Sequence, residues 1–187
     1  AQDLSSLGTV RPFVVNIADK QQVTEMVEAV AKEFGRIDIL INNAGITKDA
    51  QFYKMTDEQF DAVINVNLRG NFLMTKAVVP YMMEQKYGKI VHCASVSAYN
   101  QSNYAASKAA IMGMTRVQAK ELGKYGINVN AIAPGSIMTD MYAAVPEEVK
   151  QAKLAKIPLR RYGDPRETAQ LYAFLASDEA SYVTAQT

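Results

Sequence analysis

The chain predicts an α/β fold on a doubly wound parallel sheet with helices on both faces, a three-layer αβα arrangement. Three observations carry that prediction. Apolar-rich stretches recur at residues 37–41, 89–94 and 127–133, the first of them a continuous run, as in a parallel strand covered on both faces. Longer stretches with apolar residues at helical spacing follow these runs. Helix start and stop signals fall between the two kinds of segment. Such alternation implies a parallel sheet whose ligands lie outside the carboxyl ends of its strands.

Taken in order, residues 11–17 read as a short buried strand. Asp19 then caps a helix whose Val23, Met26, Val27, Val30 and Phe34 share a face, and Gly35 ends it. The run 37–41 is the next strand, with Asn42-Asn43-Ala44-Gly45 at its end. Thr56 and Gln59 have the spacing of a capping box, opening a long helix through Phe60, Val63, Ile64 and Asn67 toward Tyr81 and Lys86. Residues 89–94 form a strand ending near Ser95. Residues 104–124 are helical, Gly126 breaks that helix, and the strand 127–133 stops at Pro134-Gly135. Asp164-Pro165-Arg166-Glu167 places an N-cap, a first-turn proline and an acid in sequence, opening a helix that ends near Ser177. Residues 136–163 have weaker periodicity and are expected to form a mobile lid.

Composition narrows the function classes. The 187 residues, 49% hydrophobic and 21% charged, are those of one compact domain with a sizeable core. Twenty basic side chains against nineteen acidic ones leave a net charge of +1, so no overall field draws nucleic acid or an anionic membrane. The single Cys93 excludes an internal disulfide framework and fits a reducing compartment. No stretch has the length and apolarity of a membrane span and no signal peptide opens the chain, so a cytoplasmic location is expected.

The chemistry-bearing residues come in a fixed order: Asn42-Asn43-Ala44-Gly45, Asn67, Ser95, then Tyr104-Ala-Ala-Ser-Lys108. Tyr104 and Lys108 are four apart and share one helix face. A free phenol has a pKa near ~10, and a nearby ammonium favours the phenolate, so Lys108 is expected to activate Tyr104. Tyr-x-x-x-Lys alone is common on solvated helices; four elements in order point to hydride-transfer chemistry. His92 and Cys93 are neighbours on a strand, point to opposite faces, and read as packing residues. Asp38, Asp61 and Asp140 have no metal-ligand spacing, so no metal is expected. The methionines read as filler, with Met138 and Met141 near the site.

With these motifs the whole chain resembles a short-chain dehydrogenase/reductase, most closely the 3-oxoacyl-[acyl-carrier-protein] reductase branch, toward which the continuation Gly45-Ile46-Thr47-Lys48-Asp49 tilts it. The resemblance implies a Rossmann-like fold. It makes Tyr104 the proton donor in reduction, Lys108 the holder of the nicotinamide ribose, Ser95 the hydrogen-bond donor to the carbonyl oxygen, and Asn67 the holder of a water in a proton relay. Asn16-Ile17 match the pair bordering adenine, although many relatives have aspartate in place of Asn16. Asn43, with Ala44 and Gly45, matches the segment approaching the adenosine ribose. Pro134-Gly135 and Ile137 match the segment closing over nicotinamide, where Thr139 reaches the carboxamide. NADP(H) is favoured over NAD(H), though the segment that separates them is absent. Acyl carrier protein is the implied partner, docking on a basic patch. Its family positions fall on Lys86, which fits, and Tyr125, which does not, although Lys124 is adjacent. A homotetramer through helices near 69–86 and 104–124 is also implied.

The chain departs from that family in three places, which together imply a piece of a longer protein. A glycine-rich phosphate loop and its first βαβ unit, roughly 30 residues or more, are missing. The sequence ends at Val183-Thr-Ala-Gln-Thr187, before the family's last strand, with Ala185 where relatives usually have glycine. Ser95 and Tyr104 are nine apart, against about thirteen in relatives, with the seam at Asn100-Gln101. In the family's strand order, 3-2-1-4-5-6-7, residues 11–17 and 37–41 are separated by two strands, or roughly 14 Å. Direct pairing of the two would instead indicate a shortened fold. Two other functions stay open: a dehydrogenase of a small ketone, sugar or polyol, and a non-catalytic scaffold.

Overall fold

The computed structural model describes residues 4, 6–96, 101–139, 142 and 145–187. Among these, three strands form one parallel sheet in chain order, β1 (Ile39–Asn42), β2 (Gly88–Cys93) and β3 (Ile127–Ile132). Ile41 pairs with Val91, and Val91 in turn with Asn130. Central β2 is buried from Gly88 to His92, as in a parallel strand covered on both faces.

Among the described residues six α-helices carry the connections: α1 (Lys20–Phe34), α2 (Asp57–Val63), α3 (Asn71–Gln85), α4 (Ser102–Leu122), α5 (Glu147–Leu154) and α6 (Pro165–Ala176). Their ends follow the expected local chemistry. The Asp19 carboxylate accepts from the Gln21 and Gln22 amides, and Gly35 ends α1 in the left-handed conformation at φ 75°. Thr56 with Gln59, and Asp164 with Glu167, form reciprocal capping boxes.

Successive residues of β2 serve opposite faces. Ile90 joins Val23 and Val27 of α1, Leu73, Val78 and Met82 of α3, and Leu122 of α4 in the larger core. Val91 instead packs with Ile132, Leu175 of α6 and Ala180. Helices thus cover both faces of the sheet, and each fully buried Ile or Val contributes about 1.5–3 kcal/mol.

Two elements differ from expectation. Residues 11–17 form no strand, and Phe13 and Val14 are exposed. They neither pair with β1 nor stand across a slot from it as a second strand. An apolar run becomes a strand only with a hydrogen-bonding neighbour, and no described segment supplies one. Secondly, the long helix expected from Thr56 is interrupted between α2 and α3 by a π-helical segment, Ile64–Gly70, with Asn67 in its middle.

At the other end of the chain, the Ala185 amide donates to Val129 O at 2.8 Å and the Ala131 amide to Gln186 O at 2.9 Å, so residues 185–186 run beside β3. Ala185 takes φ 62°. That conformation explains why glycine suits the position.

Candidate active site

The strand ends and α4 bring the chemistry-bearing residues together. Wider π turns shift a helix's register, and here Asn67 ends up 1% exposed. Its Oδ1 accepts from the Ile46 amide at 2.8 Å, while Nδ2 donates to Ile46 O at 3.0 Å and Ser107 Oγ at 3.3 Å. Asn67 therefore fastens the loop after β1 to α4. Gly45 fits beneath this contact: a Cβ there would lie 3.3 Å from Asn67 Oδ1 and 3.6 Å from Lys108 Nζ.

Helix α4 presents Tyr104 and Lys108 on one face, with Lys108 Nζ 5.5 Å from the centroid of the Tyr104 ring. Lys108 is 4% exposed and donates to Cys93 O at 2.6 Å. Burial lowers its pKa from the usual lysine value, against the opposing influence of Cys93. Tyr104 departs from expectation: burial raises its pKa, while a hydrogen bond with the Ser95 side chain pulls the other way. Desolvation of the half-buried phenol outweighs the Ser95 hydrogen bond, and the Lys108 amine is directed at a backbone carbonyl. Tyr104 is therefore a neutral phenol near pH 7, the form needed to give up a proton.

Ser95 and Tyr104 open onto a cavity of about 760 Å³, also lined by Asn43, Pro134, Gly135, Ile137 and Thr139. Ile17, Asn43 and Ala44 line a smaller adjacent cavity of about 80 Å³ with Asn71, whose buried Oδ1 has no hydrogen-bond partner among the described residues. Asn16 stands apart from both. Its side chain accepts from the Ala18 amide at 3.0 Å, an Asx turn leading into α1.

Several site residues had gone unrecognised. Cys93, read as packing, lines the large cavity, and its carbonyl holds Lys108. Its spacing of two from Ser95 on an extended segment carried that signal, since i and i+2 share a face. His92 is fully buried, as read. Tyr172 of α6 also lines the cavity; its hydroxyl is buried, and burial first, then its contact with the Cys93 thiol, holds it protonated. Asn103, fully buried, accepts from the Tyr104 amide at 2.7 Å and donates to Lys48 O and Gln59 O, anchoring the first turn of α4. No motif marked it. Of the proposed seam, Gln101 donates to Asp49 Oδ2 at 2.9 Å. Asn100, Asp140 and Met141 lie outside the described residues.

The residues fit a nicotinamide cofactor at one end. The large cavity is of a size that takes such ligands, and it gathers a cation-backed tyrosine, a serine and the 134–139 segment. No glycine-rich phosphate loop occurs among the described residues.

Comparison with known proteins agrees with this geometry. The family described as "Enoyl-(Acyl carrier protein) reductase" matches residues 1–187. A 3-oxoacyl-[acyl-carrier-protein] reductase of Thermotoga maritima is 52% identical over 183 residues, covering 96% of this chain and 74% of the relative. One from Staphylococcus epidermidis is 43% identical over 176 residues, covering 92% of this chain and 72% of the relative. The crystal structure of a levodione reductase superposes with a TM-score of 0.90 at 42% identity, covering 98% of this chain and 76% of that one. On this evidence the chain belongs to the short-chain dehydrogenase/reductase family of nicotinamide-dependent oxidoreductases.

Proposed function

We propose that the protein reduces a 3-oxoacyl thioester to the 3-hydroxyacyl product. The observation that carries this reading is the hydrogen-bonded pair of Ser95 and Tyr104 side chains at the cleft, with Lys108 behind. Two hydroxyls side by side can both donate to one carbonyl oxygen as it gains negative charge. Reduced nicotinamide supplies the hydride. Tyr104, kept neutral by burial, gives its proton to the oxygen. Lys108 then stabilises the phenolate left behind, and Asn67 continues the route by which the proton is replaced.

In this reading Asn16, Ile17, Asn43, Ala44 and Gly45 hold the adenosine side of the cofactor. Tyr104 and Lys108 hold the nicotinamide ribose, and Pro134, Gly135, Ile137 and Thr139 hold the nicotinamide. The choice of NADP(H) over NAD(H), of acyl carrier protein as the thioester's bearer, and of a cytoplasmic location follows the likeness to the 3-oxoacyl reductases. No described helix is long and apolar enough to cross a membrane. A homotetramer assembled through α3 and α4 is supported by Phe72 and Val117, apolar side chains 44% and 54% exposed on those helices.

The test is oxidation of NADPH by the enzyme with a 3-oxobutyryl thioester. Turnover faster than with NADH is expected. A small ketone is the second reading, favoured by the likeness to levodione reductase. Reduction of levodione but not of the thioester would select it.

A further inference from the structure

We propose that Lys153 is an anion subsite of the cleft, so that the same site also reduces oxo acids whose carboxylate stands a few bonds from the ketone. The inference rests on the reductase reading of Ser95 and Tyr104 and adds a substrate class to it.

The described residues lining the large cavity include no Asp or Glu, and Lys153 is their one lysine or arginine. It projects from α5, and its Nζ lies 5.2 Å from the centroid of the Tyr142 ring, itself part of the lining. Tyr142 is fixed in turn. Its ring packs on that of Tyr162 at 5.1 Å, the two hydroxyls are 3.2 Å apart, and Tyr162 donates to Lys150 O at 2.5 Å. Lys153 is thus placed over an aromatic face by a tyrosine pair that also bonds back to its own helix.

No carboxylate neutralises it among the described residues. The nearby Glu147 is engaged by Gln151 at 2.7 Å and Lys150 at 3.9 Å. A cleft with a cation, many hydroxyl and amide groups, and no acid favours an anionic ligand.

Reach selects which anion. Lys153 lines the same cavity of about 760 Å³ as Ser95 and Tyr104. A carboxylate a few bonds from the reacting carbonyl stays within that one cavity, whereas the phosphate of a pantetheine arm stands about sixteen bonds from a 3-oxo group.

The reaction balances as an ordinary ketone reduction. The carbonyl carbon gains hydride from reduced nicotinamide as the C=O π pair moves to oxygen. That oxygen takes the Tyr104 proton, and the nicotinamide is left oxidised. The carboxylate is unchanged, held by the ammonium.

The experiment compares kcat/KM for 5-oxohexanoate and its methyl ester, with reduced nicotinamide in excess, in the wild-type enzyme, Lys153→Met and Lys153→Arg. Methionine keeps an unbranched side chain of similar length and removes the charge. The wild type is expected to prefer the acid, and the acid-to-ester ratio should fall about tenfold in Lys153→Met and largely survive in Lys153→Arg. An unchanged ratio in Lys153→Met, or a wild type that does not prefer the acid, overturns the inference and leaves thioester reduction standing. Failure to reduce the acid, the ester and a 3-oxobutyryl thioester alike overturns the reductase reading and this inference with it.

Discussion

Within the site, burial decides which form each titratable side chain takes. A phenol buried beside a serine stays neutral, so Tyr104 holds a proton ready for a carbonyl oxygen. Tyr104→Phe keeps the ring and deletes the proton; turnover of a 3-oxoacyl thioester should fall by about 10²–10⁴ with an unchanged unfolding midpoint. Unchanged turnover would rule out the proton-donor role. His92 obeys the same rule with the opposite charge. Its Nδ1 lies 3.2 Å from Asn42 Nδ2 and its Nε2 lies 2.8 Å from Gln118 Oε1. The amide donates to Nδ1, so the ring is neutral with its proton on Nε2. Burial lowers its pKa from 6.5 to about 4, opposed by the Gln118 contact. The sign follows from linkage: the contribution is full above pH 6.5 and is lost as pH falls toward 4, because the unfolded chain takes a proton that buried His92 refuses. The slope is about 1.4 kcal/mol per pH unit. Between pH 7 and pH 5 the wild type should lose about 2 kcal/mol more than His92→Gln, measured by denaturant unfolding. Equal losses would show that His92 does not titrate as a buried neutral group.

Among the elements, what the sequence revealed and what it hid separate along one physical line. Signals closed within a few residues were legible: the Asp19 cap, both capping boxes, Gly35, and the apolar Ile90-Val91 centre of β2. So was the order of site residues, because all but Asn67 fall at a strand end or in the first turns of α4. Features that depend on a distant partner were hidden. Residues 11–17 have a strand's composition but no neighbour to bond among the described residues. The π segment owes its shape to Asn67 reaching across to Ile46, and Asn103 is defined by carbonyls at Lys48 and Gln59. Ala185 belongs with these. Beside β3 it adopts φ 62°, which costs an L-residue roughly 1–2 kcal/mol, while glycine gives back roughly 0.4–1 kcal/mol through its freer unfolded chain. Strain wins over entropy, so Ala185→Gly should stabilise the protein by about 0.5–1 kcal/mol, read as a rise in the denaturant midpoint. A fall in the midpoint would mean that the residue relaxes out of the left-handed region in solution.

Across the whole molecule, a net charge of +1 leaves an acidic partner to be met by local charge. The fold brings the two turns that carry it into contact. Lys86 ends α3 in the left-handed conformation at φ 55°, and Gly126, at φ 72°, sits so close that a Cβ on it would lie 2.6 Å from Lys86 O. Glycine is therefore required twice over at residue 126, by dihedral and by space. The contact sets exposed Lys86 near exposed Lys124, whose Nζ lies 5.1 Å from the centroid of the Tyr125 ring. Tyr125 does not supply the charge expected at its position; it packs against the core instead. Lys124, one residue earlier and in no ion pair among the described residues, is placed to supply it. If an acidic carrier protein docks here, Lys86→Glu acts on encounter, which depends on long-range attraction, and leaves the chemistry in the distant cleft alone. Reduction of a carrier-bound 3-oxoacyl group should then lose about tenfold in kcat/KM while a small thioester loses little, and the difference should shrink as salt rises because the Debye length falls from about 10 Å at 0.1 M to about 3 Å at 1 M. Equal losses on both substrates, or a carrier effect indifferent to salt, would move the docking surface elsewhere and favour a small carbonyl compound as the substrate.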